Sequence, residues 1–222
     1  MQIQENLKDI KSTLPEQVTL VAVSKTKPIA DLQEAYDAGQ RIFGENKIQE
    51  MTEKWEVLPK NIEWHMIGHV QTNKVKYMAP YVSLIHGVDS FKLLKEINKQ
   101  AKKNDRVISC LLQIHIAEED TKFGFSEEEL METLALEEFS LLSHVKVVGL
   151  MAMATFTENE EQIEREFSSL KKLFDKLKNT TTLNIEMKVL SMGMSGDYKV
   201  AIKNGSTMVR IGSSIFGARN YH

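Results

Sequence analysis

Two periods of apolar residues alternate along the chain. Short runs rich in Val, Ile and Leu read as strands, and the stretches between them carry apolar residues three and four apart, as one face of a helix requires. Strands are expected at 19–24, 41–43, 62–67, 81–88, 106–116, 145–153, 186–190 and 207–211. Helical patterns follow at 29–38, 47–58, 72–78, from Ser90 to 103, from Ser126 to 138, at 158–178 and at 197–204, and residues 1–15 add an amphipathic helix ahead of the first strand. Ser126 and Glu129 have the spacing of a capping box. Eight strands, each followed by a helix or helical turn, predict an α/β fold, a single (β/α)8 TIM-type barrel with an extra N-terminal helix. An open doubly wound sheet fits less well, because no Gly-x-Gly-x-x-Gly follows the first strand.

Composition narrows the picture. With 222 residues, 42% hydrophobic, the chain suits one domain spanning 1–222. Its 28 basic and 31 acidic residues leave a net charge of −3 with no block of one sign, which argues against nucleic-acid and membrane-surface partners. Cys110 is the only cysteine and sits in an apolar run, so a buried small hydrophobe in a reducing compartment is expected. Residues 1–15 lack the apolar core of a signal peptide, and no run reaches the roughly 18 apolar residues of a membrane span, so a cytoplasmic protein is expected.

Barrel chemistry gathers at the carboxyl ends of strands. There the sequence has Lys25 after the first strand, Gly44-Glu45-Asn46 after the second, and His65 to His69 at the third. The runs LSMGMSGD (190–197) and GSTMVRIGSSIFG (205–217) hold five of the eleven glycines among hydroxyl residues. Glycine lets backbone N–H groups approach a phosphate, and Ser195, Thr207 and Ser213 can add donors; tight turns would explain the same composition. Lys25 ends an apolar run and shares a face with Val21 and Val23, so its ammonium is expected to lose hydration and its pKa to fall. Lys27 reads as a solvated loop residue. Arg210 lies inside an apolar strand and must have a ligand or a carboxylate partner. An amine facing a phosphate cradle suits an aldehyde-bearing phosphate ester, and pyridoxal 5′-phosphate (PLP) is one.

VSKTKP (23–28), GENKIQE (44–50), WHMIGHVQTNK (64–74), TKFGF (121–125), GLMAMA (149–154) and the two glycine-rich runs resemble, in order and spacing, the pyridoxal phosphate homeostasis protein family. The resemblance implies a barrel like the alanine racemase N-terminal domain, with PLP as a Schiff base on Lys25. It further implies that Asn46 lies near the cofactor, that Ser195, Thr207, Gly212 and Ser213 approach its phosphate, and that Arg210 meets the pyridine nitrogen; Met192 and Met194 read either as packing or as contacts of the cofactor. A role in holding or delivering PLP is implied, with PLP-dependent apo-enzymes as recipients, a monomer or weak dimer as the assembly, and no established catalysis. Lys47, Gly87 and His115 depart from the usual residues at the rim.

A PLP-dependent racemase-like enzyme is the alternative, and a phosphosugar barrel using Lys25 without PLP is a third reading. His65 and His69 are four apart but on a strand pattern, so metal binding is not expected. Glu118, Glu119 and Asp120 read as a solvated run, and the methionines of GLMAMA as packing in the barrel.

Overall fold

The computed structural model describes residues 2–118, 123–179 and 184–218. Glu119 and Asp120 of the acidic run, the first two residues of TKFGF and Tyr221 lie outside them. Eight parallel strands close into a barrel in the order of the sequence. They are β1 (Thr19–Val23), β2 (Ile42–Glu45), β3 (Glu63–Met66), β4 (Leu84–Val88), β5 (Ile108–Gln113), β6 (Val145–Met151), β7 (Ile185–Ser191) and β8 (Met208–Ile211). The eight-stranded barrel expected from the alternating periods is the architecture found.

The helices are α1 (Gln2–Thr13), α2 (Ile29–Asp37), α3 (Ile48–Val57), α4 (Val75–Met78), α5 (Phe91–Lys103), α6 (Glu127–Ala135), α7 (Glu137–Ser140), α8 (Glu160–Lys178), α9 (Tyr198–Lys203) and α10 (Ser213–Phe216). A 3-10 turn at Thr72–Lys74 precedes α4. Their apolar faces build the larger core, between barrel and helices; α5 turns Leu93, Leu94, Ile97 and Ala101 inward. No helix among the described residues is long and apolar enough to cross a membrane. The buried Cys110 belongs to the same core, and burial pushes its thiol pKa up.

Two boundaries differ from expectation for local reasons. The expected helix to residue 138 breaks at Leu136, which turns extended (ψ 132), and the chain restarts as α7 so that Phe139 is buried. The strand expected from residue 81 begins at Leu84, because the N–H groups of Tyr81 and Val82 both donate to Met78 O and close a turn after α4. The capping box forms as expected, with Ser126 Oγ accepting Glu129 N–H and Glu129 returning a carboxylate to Ser126 N–H.

A second, smaller core fills the barrel itself. Val21, Leu84, Leu111, Met151 and Met208 meet there, with Ile42, Ile67, Val148, Met153 and Val189 packed against them. The methionines Met151 and Met153 of GLMAMA are therefore interior packing, as expected. Toward the carboxyl ends the lining turns polar, with His86 on β4, Gln113 on β5, Ser191 on β7 and Arg210 on β8 all buried.

The pairing of β6 with both neighbours shifts register around Gly149. A Cβ on Gly149 would lie 1.7 Å from Val189 O, so the two backbones touch where a side chain would stand. Neither backbone can retreat without breaking the ladder. Gly149→Ala is expected to exceed the roughly 1–3 kcal/mol usual for overpacking. Gly196→Ala, with nothing within 4 Å of its Cβ, should leave the thermal midpoint near that of the parent chain. Thermal unfolding of the two variants checks the contrast; equal midpoints would refute it.

Candidate functional site

At the carboxyl mouth of the barrel lies a cavity of about 530 Å³, within the range of small-molecule sites. β1 delivers its first wall. Val21 points into the barrel core, Val23 lines the cavity, and two residues later so does the half-buried Lys25. Thr26 then takes φ 64, a left-handed conformation that costs a β-branched residue about 1–3 kcal/mol and persists only where neighbours enforce it.

Lys27 is not the solvated residue expected. Its Nζ donates to Phe216 O (2.8 Å), Gly217 O (3.2 Å) and Ala218 O (3.1 Å), so its three N–H bonds cap α10. The loop that bears Lys25 is thereby pinned to the segment after β8.

The opposite wall is the pair of glycine-rich loops. Gly193 (φ 97) lies so close to α9 that an added Cβ would meet Ala201 Cβ at 2.6 Å. Asp197 Oδ1 accepts Met194 N–H (2.6 Å), and Gly212 N–H leans on Ser195 Oγ at 3.4 Å, joining the loop after β7 to the loop after β8. Ser195, Gly196, Gly212 and Ser213 line the cavity; Ile215 and Phe216 N–H donate to Gly212 O, which leaves the N–H groups of Ser213 and Ser214 without a backbone acceptor among the described residues. Asn46 enters from the end of β2, where Gly68 packs directly on its backbone.

Arg210 lines the cavity from inside the barrel at 4% exposure. It donates to Ser191 O (2.9 Å), Ser191 Oγ (2.6 Å) and Ala152 O (3.0 Å). Burial lowers its pKa to about 10, with Asp197 opposing, so the guanidinium keeps its charge at neutral pH.

Behind Arg210 a chain of buried side chains crosses the barrel. His86 Nδ1 meets Ser191 Oγ at 3.0 Å, and His86 Nε2 meets His65 Nδ1 at 3.0 Å. A neutral imidazole has one proton for two bonded nitrogens, so the direction of donation at Ser191 fixes the direction at His65. Burial lowers His65 to about 3, and burial with the nearby His65 and Arg210 charges takes His86 well below 6.5. His65 and His69 have separate surroundings: His69 Nδ1 pairs with Asp89 at 2.9 Å on the rim and its ring stacks on Phe123.

Lys25, Asn46, Ser195, Arg210, Gly212 and Ser213 thus meet on one cavity. Met192 and Thr207 do not. Met192 is one residue past the inward Ser191 and belongs to the larger core between barrel and helices, whereas Met194 lines the cavity. Thr207 precedes β8, three residues before Arg210, and its hydroxyl oxygen accepts Leu190 N–H (2.8 Å) away from the cavity wall. His86 and Ser191 escaped notice in the sequence, although alternation from Leu84 and Val189 puts both inside the barrel. A neighbouring cavity of about 590 Å³ shares Asn46 and His69 but has neither Lys25 nor Arg210 in its wall.

The profile described as alanine racemase, N-terminal domain, matches residues 1–220. A protein of Aquifex aeolicus named pyridoxal phosphate homeostasis protein is 43% identical over 204 residues, covering 91% of this chain and 87% of its own. The Escherichia coli protein of that name is 38% identical over 211 residues, covering 93% and 88%. The chain belongs to the pyridoxal phosphate homeostasis protein family. Among solved structures, PipY of Synechococcus elongatus, described with PLP bound, superposes with TM-score 0.88 at 33% identity, covering 97% of this chain and all of that one. Alanine racemase of Clostridium difficile shares the fold at TM-score 0.81 and 16% identity, over 99% of this chain and 57% of the racemase chain. The curated relatives carry the name of homeostasis proteins, not of enzymes.

The neutral histidine pair gives the barrel a pH dependence. The unfolded chain binds a proton at His65 near pH 6.5 and the folded chain only near 3, so stability is complete above 6.5 and declines between those values. His65 contributes a slope of about 1.4 kcal/mol per pH unit in that window. Urea midpoints at pH 7.5 and 5.0 should differ accordingly, and His65→Gln should flatten the difference. Equal slopes in parent and variant would refute it.

Proposed function

We propose that the cavity binds PLP, that Lys25 carries it as a Schiff base, and that the chain buffers or delivers the cofactor without turning over a substrate. The observation that carries this reading is the meeting of Lys25, Arg210 and the two glycine-rich loops around one cavity, while Lys27 has its N–H donors committed to carbonyls. The residues fit the group. PLP would supply an aldehyde carbon for attack by the Lys25 amine, and a phosphate dianion suited to the hydroxyls of Ser195 and Ser213 and the N–H groups of Ser213 and Ser214. Arg210 would stand against the ring nitrogen, with Asn46 on the flank.

The reading extends to residues 1–222 as a single PLP-binding domain, working in the cytoplasm as a monomer or weak dimer, with PLP-dependent apo-enzymes as recipients. Relatives are named pyridoxal phosphate homeostasis proteins, and a PipY structure at 33% identity is described with PLP bound.

PLP added to the purified chain should produce the visible absorbance of a lysine Schiff base. Borohydride reduction and peptide mapping should then find the label on Lys25, and Lys25→Ala should abolish band and label while keeping weaker, phosphate-anchored binding. A label on Lys27 would overturn the site. Incubation of the loaded protein with single L-amino acids, followed by chiral chromatography, should yield no D-isomer above a PLP-only control. Lys25-dependent D-isomer would replace the carrier reading with a racemase.

A further inference from the structure

The residues on either side of Lys25 are held by one buried group of charges. Glu45, the last residue of β2, is fully buried between the barrel and α3. Its Oε1 accepts Ser24 Oγ–H at 2.7 Å and Lys54 Nζ at 2.7 Å. Lys54, itself buried on the inward stripe of α3 beyond Ile48 and Met51, also donates to Ser24 O (2.8 Å) and to Glu50 (2.7 Å). Glu50 in turn accepts Thr26 N–H at 2.6 Å. Ser24 is thus gripped by hydroxyl and carbonyl, and Thr26 by its N–H in the left-handed conformation.

We propose that Glu45, Lys54 and Glu50 form a positioning clamp that sets the loop 24–26 so that Lys25 presents its amine to the aldehyde of the bound cofactor. The proposal rests on the reading of Lys25 as the attachment point. It adds residues that touch neither cofactor nor cavity and act only through the backbone beside Lys25.

Burial is costly for both Glu45 and Lys54, and a solvated surface pair would hold α3 less expensively. Glu45 Oε2 has no hydrogen-bond partner, and burial raises the pKa of this carboxyl against the pull of Lys54. Such a group is retained where geometry matters more than the net energy of the pair. Its five bonds, three onto residues 24 and 26 and two within the trio, hold the loop in one conformation.

A structural role alone would lower stability and all ligand binding together; a positioning role separates covalent from non-covalent capture. Ser24→Ala leaves the ion pair standing, and Glu50→Ala removes a half-buried partner, so both variants keep a route to folding. Pyridoxamine 5′-phosphate has the ring and phosphate of PLP but no aldehyde, and reports the cavity without Lys25 chemistry.

For each variant we expect the rate of borohydride-trappable PLP addition at Lys25 to fall at least tenfold. The dissociation constant of pyridoxamine 5′-phosphate should stay within twofold of the parent's. Labelling of Lys25 in the ligand-free protein by acetic anhydride, relative to the other lysines, should fall in parallel. Unchanged addition rates in both variants, or equal losses for both ligands, overturn the clamp. Absence of a Lys25 adduct in the parent chain overturns the attachment reading and the clamp with it, a result distinct from the other two.

Discussion

The pairing of β1 with β8 closes the barrel, and its register decides what can meet at the mouth. Thr19 to Ala22 run beside Met208 to Ile211. This sets Val21 level with Arg210, and the next few residues of each strand become facing walls of one cavity. Gly212 lies flush against Val23, where a Cβ would stand 3.0 Å from Val23 O. Lys27 and the carbonyls at the end of α10 fasten the same seam further out. A slip of one residue would turn Arg210 out of the barrel and carry Lys25 away from the glycine-rich loops. The helix α1 supports the seam from outside, with Asn6 Nδ2 donating to Ile215 O at 3.0 Å.

Burying a guanidinium beside that seam imposes a second constraint. Arg210 gives its hydrogen bonds to carbonyls and a hydroxyl, and the charge of Asp197 helps to hold the guanidinium ionised. The imidazoles behind it must then stay neutral, because a second buried cation would add repulsion to desolvation. On the proposed function, a guanidinium against the pyridine nitrogen keeps that nitrogen unprotonated and makes the ring a poor electron sink. The same charge that organises the barrel interior thus works against carbanion chemistry at the cofactor.

Much of this was legible in the sequence because barrels repeat one rule. The alternation of periods yields eight strand–helix units, and the carboxyl-end rule sends Lys25 and Asn46 to the mouth. What escaped legibility depends on contacts between segments far apart in the chain. Thr207 has the right residue type in the right run, yet the start of β8 sets its hydroxyl oxygen against Leu190 N–H rather than on the cavity wall. Met192 and Met194 look alike in a run of small residues, and only the inward direction of Ser191 separates them. Lys27 appears as a polar loop residue because its three acceptors lie some 190 positions away. Lys54 was the clearest missed signal. A lysine on the Ile48–Met51 stripe of an amphipathic helix must find a buried partner.

Among the described residues, the rim above these fixed groups is open. Ser213 is exposed, Lys25 is half-buried, and Phe156 lines the cavity with 96% of its surface in water. The loop carrying Phe156 is nevertheless anchored, since the buried Glu166 of α8 accepts both Thr155 N–H (2.7 Å) and Thr155 Oγ1–H (2.6 Å). Rigid groups beneath and an uncovered face above are a poor design for sheltering a reactive intermediate, which requires exclusion of water. They are a good one for a reversible bond. Hydrolysis or exchange at a lysine needs water or another amine to reach the attached carbon, and here the approach lies over an open rim while the lysine itself is held from below. Under the proposed reading, tight positioning and free access therefore divide between two layers of the barrel mouth, and the chemistry of capture and release follows from their separation.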